Sequence, residues 1–335
     1  MHHDGYLDPG ESGTLRATVA NASVFAAENV TITAATSTPG VRFGAPIRIP
    51  TLAGFASNEI AIPVTVLASA PRAVFSTIEL RATADNTCTS DASTATLIAR
   101  LGFDEVLATS RIDHVETQAT PWTRTGERAA DTWRQATDAA QNRSWLASNA
   151  GNPVDAQLVS PPLQVSTTEP FVLSMSHAYQ LAGSPPFWFD GAAIELSRDD
   201  GATWTDVAEL GVDPGYVGDV FPGLGNPLEG RPVFVGTSPG FPDRQRLRLD
   251  FGAQFAGEAI RIRFRAAIGP SFLSAGWTID DIAVEGTVNT PFPALVAEPS
   301  TCTARAAALA ESAVIAAHQA PAVSLEAFDD AATTE

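Results

Sequence analysis

Carboxylates are the residues whose type and spacing could do chemistry in this chain. FDEV carries Asp104 and Glu105, IDHVET carries Asp113 and Glu116, FWFDG carries Asp190, and WTIDDI carries Asp280 and Asp281. In a strand such as TIDDIAV, Ile279 and Asp281 share one face while Asp280 and Ile282 share the other, so at least one carboxylate points toward a covered side. An unpaired buried carboxylate is costly, and two remedies are open: a hard divalent cation with oxygen ligands, or hydrogen bonds to backbone amides and pairing with arginine. A second acidic feature opens the chain. In HHDGYLDPGESG, Asp4, Gly5, Asp8 and Glu11 have the offsets of positions 5, 6, 9 and 12 of a twelve-residue calcium loop, yet position 3 falls on His2 and position 1 precedes Met1. Either this is a turn that only looks like a calcium loop, or it is the rear part of one. With Gly10 and Gly13 permitting the bend, Asp4, Asp8 and Glu11 amount to a partial cation site of about millimolar affinity or weaker.

Two runs carry the opposite charge. RQRLRLDF alternates Arg244, Arg246 and Arg248 with apolar residues, and EAIRIRFRAA does the same with Arg261, Arg263 and Arg265. As neighbouring antiparallel strands they would place six arginines on one solvent face, which requires compensation because like charges across a sheet repel. The compensation is either acidic residues on adjacent strands or an anionic ligand such as an acidic glycan. Aromatic platforms for a sugar are available in Trp188, Trp204 and Tyr216.

Other motifs read as structural. SRDDGATW, from Ser197 to Trp204, has the Asp-box pattern S-x-D-x-G-x-T-W, in which Asp199 bonds the turn, Gly201 takes positive φ and Trp204 folds back over the hairpin. GTSPG places Ser238 in a formal G-x-S-x-G, but the following Pro239 and Pro242 lead into a strand rather than the helix a nucleophile elbow needs. The histidines are His2, His3, His114, His177 and His318, with no H-E-x-x-H among them, and His177 in SMSHAYQL reads as a partly buried strand residue.

The elements that must position these residues are strands. TLRATVA, NVTITAAT, NEIAIPVTVL, VFSTIELRAT and STATLIAR are short alternating runs rich in Val, Ile and Thr, which predicts an immunoglobulin-like β-sandwich over residues 1–100. Residues 101–115 change character and read as a connector. A second set of strands with long Pro/Gly-rich loops, DPGYVGDVFPGLGNPLEGRP among them, predicts another β domain over 116–290. Residues 291–335 read as a linker, a weak helix around TARAAALAESAVIAAHQ and a disordered tail.

Composition narrows the function. The 335-residue chain has a formal net charge of −18, which argues against nucleic acid as a partner. All 20 basic residues are arginine, a mark of codon usage rather than of function. Two cysteines, Cys88 and Cys302, make neither a disulfide framework nor a zinc module. No run of 18 apolar residues is present, and nothing at the N-terminus has the make-up of a signal peptide, so membrane insertion is not expected.

Taken in order, FDEV…DHVET…W, FWFDGAAIELSRDDGATWTDV, GYVG, NPLEGRPVFVG and GWTIDDIAVEG resemble the MAM-like jelly-roll domain of immune inhibitor A and of the C-terminal regions of secreted bacterial fungalysin-type (M36) metalloproteases. In the latter a sandwich domain opening on an acidic D-G-x-L-D-x-G-E turn comes first, as DGYLDPGESG does here. The resemblance spans roughly residues 4 to 290. It implies an all-β chain, an immunoglobulin-like sandwich followed by a jelly roll, with calcium held by Glu116, Asp280 and Asp281. It also implies that the catalytic zinc domain lies upstream, outside this chain, in a longer secreted and therefore extracellular precursor. Four further carboxylates, Asp190, Asp4, Asp8 and Glu11, join the candidate metal ligands, and Arg246, Arg248, Arg261 and Arg263 join the aromatic residues as candidate ligand contacts. The function expected is a non-catalytic, calcium-stabilised accessory region that binds a protein or polysaccharide. The alternatives are a carbohydrate-binding module and, third, a serine hydrolase using Ser238.

Overall fold

The computed structural model describes residues 6–86, 92–138, 142–148, 154–223, 225–269 and 274–297, and the backbone of 323–330. Expectations for Asp4, Cys88, Cys302 and the helix around 302–318 lie outside the described residues. The chain is all-β and divides into two compact units, residues 1–105 with 295–335, and residues 106–294.

Unit one is an immunoglobulin-like sandwich of two four-stranded antiparallel sheets. One runs β26 (Val323–Asp330), β1 (Ser12–Ala20), β5 (Ser57–Val66), β3 (Val41–Phe43); the other runs β4 (Ile47–Leu52), β2 (Ala27–Thr36), β6 (Val74–Thr83), β7 (Ser93–Leu101). The period of two explains the layering. Ile60, Ile62, Val64 and Val66 of β5 and Ile78, Leu80 and Ala82 of β6 are buried, while the residues between them in β5 from Ala61 onward, Pro63 included, stay exposed. Each large aliphatic side chain buried this way contributes about 1.5–3 kcal/mol.

Unit two is a jelly-roll-like sandwich of two larger sheets. The first runs β11 (Trp133–Thr137), β12 (Arg143–Ala147), β24 (Gly276–Glu285), β15 (Phe171–Gln180), β22 (Gln245–Gly252), with β9 (Ile112–Asp113) also on β24. The second runs β10 (Thr123–Gly126), β13 (Val154–Val159), β23 (Ala259–Ile268), β18 (Gly191–Ser197), β19 (Thr205–Asp206), with β14 (Leu163–Gln164) also on β23. A one-turn helix, α1 (Ala129–Thr132), precedes β11. The core is aromatic: Trp133, Trp145, Trp277, Phe171, Phe251, Phe255, Phe264 and Phe292 are fully or almost fully buried. Trp277 meets Trp133, Phe234 and Phe264 at centroid separations of 5.7–5.8 Å, tilted or edge-on, as ring quadrupoles prefer.

Three sequence expectations change. The stretch read as a connector holds a strand, β8 (Phe103–Ser110), which forms a two-stranded sheet with β25 (Phe292–Ala297). The tail read as disordered contains β26, paired antiparallel with β1. The two arginine runs are not neighbours, since β22 and β23 belong to different sheets. Alternation specifies which face a residue takes but not which strand lies beside it, and the short turn between the runs carries the chain from one sheet to the other.

Candidate functional site

The arginines of β23 sit on the outer face of the second sheet and are consumed there. β23 lies between β13 and β18, so Arg263 stands directly across from Glu195, a residue 2% exposed. Arg263 Nε donates to a carboxylate oxygen of Glu195, while Arg231 Nη2 donates to the other at 2.9 Å and to Asp206 Oδ2 at 2.6 Å. Arg265 grips Asp155 bidentately, both bonds 2.7 Å, and this pairing raises its pKa. Arg261 Nε donates to Asp200 at 2.5 Å. Burial pulls the Arg263 guanidinium below its ordinary value, opposed by Glu195. The compensation for these arginines is internal.

Trp204 takes part in the same arrangement. The Arg263 guanidinium lies 4.5 Å from its ring centroid, and Gly201, at φ 94°, is so close to the ring that a Cβ would approach Cζ2 to 3.3 Å. The hairpin beneath is held by Asp199, which accepts from the Thr203 hydroxyl at 2.6 Å, the Thr203 amide at 2.8 Å and Ser197 Oγ at 2.7 Å. Those bonds, the Thr203 hydroxyl foremost, hold the Asp199 carboxyl down at about 2.

Trp188 and Tyr216 anchor the long loop. A Cβ on Gly236 would come within 2.6 Å of the Trp188 ring and one on Gly218 within 3.1 Å, so two glycines let the indole lie flat against the backbone. With Val220, Leu228, Val233 and Val235, Trp188 covers Ala193 and Ala267 of the outer sheet face. The Tyr216 hydroxyl accepts from the Ile194 amide at 3.0 Å, and burial, then Asp206, pushes its pKa up. Its ring also lines an open cavity of about 380 Å³ with Val212, Pro214 and Pro232.

Beside the exposed Asp219 and Glu229, this loop end also leaves apolar groups in solvent. Phe187 of β17 (Phe187–Trp188), which pairs with β16 (Gly183–Ser184), is 49% exposed, Phe189 is 37% exposed, and Phe187 meets Phe221 edge-on at 5.0 Å. The backbone beneath is pinned. The Phe221 amide donates to Trp188 O at 2.7 Å, Asn226 Nδ2 to Phe189 O at 2.8 Å, and the Phe189 amide to Ala182 O at 3.0 Å. Asp190, fully buried, accepts from the Ala182 amide at 3.0 Å and the Gly269 amide at 2.7 Å. Desolvation lifts the Asp190 carboxyl to about 6 against those bonds. The phenylalanines were not singled out from the sequence, though PPFWFDG held the signal: alternation about an inward Trp188 turns Phe187 and Phe189 outward.

The expected calcium ligands have other partners. Asp280, 2% exposed, accepts from Asn142 Nδ2 at 2.7 Å, Arg244 Nη1 at 3.1 Å and the Asp281 amide at 2.8 Å. Asp281 is exposed, at φ 48°, with Oδ1 2.7 Å from His114 Nδ1. The pairing of β15 with β24 slips between Ser174 and Ser176, a β-bulge, so Ile279 and Ile282 both reach the core and the expected split of faces fails. Glu116 accepts from the Arg143 amide at 2.8 Å, and Glu11 accepts from the Asp8 amide at 3.1 Å across a turn. Among the described residues no group of three or more His, Cys, Asp or Glu side chains is gathered to hold a metal ion. At Asp280 the Arg244 guanidinium already supplies positive charge beside the carboxylate.

Ser238 and His177 are structural. Ser238 Oγ accepts from the Tyr179 amide at 3.0 Å and is buried. His177 Nδ1 lies 3.3 Å from Trp277 Nε1 among the rings of Tyr179 and Phe234, and desolvation drops its pKa to about 4. Arg248 pairs with Asp250 at 3.1 Å, and Arg246 is exposed.

No protein-family model and no curated protein sequence matches the chain. Among solved structures it is similar to the secreted serine protease VesC from Vibrio cholerae, at 12% identity and TM-score 0.26, with 84% of this chain covered; the chain spans about half of that protein, 49%. It is also similar to the N-terminal tandem CBM22 domains of Xyn10C from Paenibacillus barcinonensis, at 9% identity and TM-score 0.27, covering 84% of this chain and 79% of that one. A carbohydrate-binding module of the β-sandwich superfamily gives 10% identity and TM-score 0.27, covering 82% and 98%. Superpositions this loose carry no functional inference.

Proposed function

We propose that this chain is a non-catalytic binding region, an accessory part of a longer secreted protein, whose ligand contact is the loop end of unit two. The observation that carries this is the exposed Phe187, seated edge-on against the half-buried Phe221 on backbone pinned from below, a platform whose geometry exists before any ligand arrives. The ligand class is a neutral polysaccharide. Three of the candidate anion contacts, Arg248, Arg261 and Arg263, already pair with Asp250, Asp200 and Glu195, and the net charge of −18 repels an acidic glycan, whereas sugar C–H faces stack on aromatic rings. Pull-down on a panel of insoluble neutral polysaccharides tests this: retention on at least one supports it, and retention on none discards it.

The link to a metalloprotease rests on the motif order in the sequence, and a zinc-protease reading frame upstream in the same gene supports it. Calcium stabilisation rests on the acidic clusters. A melting temperature that rises with added calcium and falls with chelator supports that part, and an unchanged one removes it.

A further inference from the structure

One edge of unit one is completed from the far end of the chain. β5 pairs with β1 at nine consecutive positions, from Ser12↔Thr65 to Ala20↔Ser57. On the opposite edge of β1, β26 runs antiparallel from Val19↔Val323 to Gly13↔Asp330, with a bulge between Thr14 and Arg16. Among the described strands β26 has no ladder partner but β1. Without it, β1 offers a long edge of unpaired amides and carbonyls, which natural sandwiches avoid leaving open. The register also places position 326, a glutamate, opposite Arg16.

We propose that the outer edge of β1 is a strand-acceptor site and that Val323–Asp330 is its exchangeable occupant, supplied in cis in dilute solution and by a second copy of this chain when copies are concentrated. The chemistry is main-chain β-augmentation, in which ladder hydrogen bonds provide affinity and register provides selectivity. An edge strand that ladders to β1 alone can leave without unpairing any other two strands, and exchange of identical elements is a low-cost route to association.

The test uses the full chain and a labelled peptide, VSLEAFDD, corresponding to Val323–Asp330. Leu325→Pro removes a ladder donor from the resident strand and clashes within it, which frees the β1 edge. Fluorescence anisotropy is expected to show the Leu325→Pro chain taking up the peptide at least ~10-fold more tightly than wild type, whose own strand competes at an effective concentration of about millimolar. Equal uptake by both chains, or none by either, overturns the proposal. Should that variant fail to fold, a Thr18→Cys/Ser324→Cys pair, on residues directly opposed in the ladder, is oxidised in a Cys88→Ser/Cys302→Ser background. The expected products are closed monomer when dilute and disulfide-linked dimer when concentrated. No link at all, or monomer alone at every concentration, contradicts exchange.

Discussion

Glu195 is the residue on which the outer face of unit two depends, because Arg231 and Arg263 both bond it and Arg265 lies 3.8 Å away. Glu195→Gln keeps the shape and removes the charge, leaving the part-buried Arg263 guanidinium without its carboxylate while Arg231 keeps Asp206 and Arg265 keeps Asp155. We expect it to cost about 3 kcal/mol in denaturant unfolding, and a loss under half a kcal/mol would contradict the assignment. Two buried groups set opposed pH dependences. The folded pKa of Asp190 is raised to about 6, so its contribution to stability is full below about pH 4 and lost as pH rises through 6. The folded pKa of His177 is lowered to about 4, so its contribution is full above about pH 6.5 and lost as pH falls through 4. Asp190→Asn is therefore expected to remove the loss of stability on raising pH from 4 to 6, whatever it costs in hydrogen bonding, and His177→Gln to remove the loss on lowering it. Melting curves of each variant across that window check both signs. The sequence shows that carboxylates are buried, since alternation places them, but whether each meets a metal, an amide or an arginine depends on strands remote in the chain. Asp280 finds Asn142 and Arg244, at separations of 138 and 36 residues, which no local pattern encodes.

Among the elements, the strands were legible and their neighbours were not. The alternation of RQRLRLDF and EAIRIRFRAA gives two strands with arginines on one face each, and both exist, yet they join opposite sheets. The bulge in β24 escaped notice for a related reason: a period-two reading of TIDDIAV has no term for the extra residue that turns Asp281 outward. Local turn chemistry was readable, because SRDDGATW holds the Asp199 bonds within its own few residues. Close backbone approach was not. Gly276, at φ 94°, opens β24 with Ala147 O so near that a Cβ would stand at 1.9 Å. Gly276→Ala is expected to break the pairing of β12 with β24 and to destabilise unit two by more than about 3 kcal/mol, measured by denaturant unfolding.

For the molecule as a whole, a net charge of −18 coexists with β23 arginines turned to internal acidic partners, so the surface left for a ligand at this face is distinguished by apolar groups rather than by positive charge. Phe187, 49% exposed and edge-on to the half-buried Phe221, is one instance. Neither ring belongs to a core cluster of the sandwich, so stability and binding should separate. The most direct measurement is a depletion isotherm of wild type and of Phe187→Ala/Phe221→Ala on the neutral polysaccharide that retains the wild type, with melting temperature followed in parallel. The platform predicts affinity lower by about 10-fold or more in the double variant, each ring supplying ~0.5–1.5 kcal/mol, at an unchanged melting temperature. Wild-type affinity retained by the double variant would contradict it.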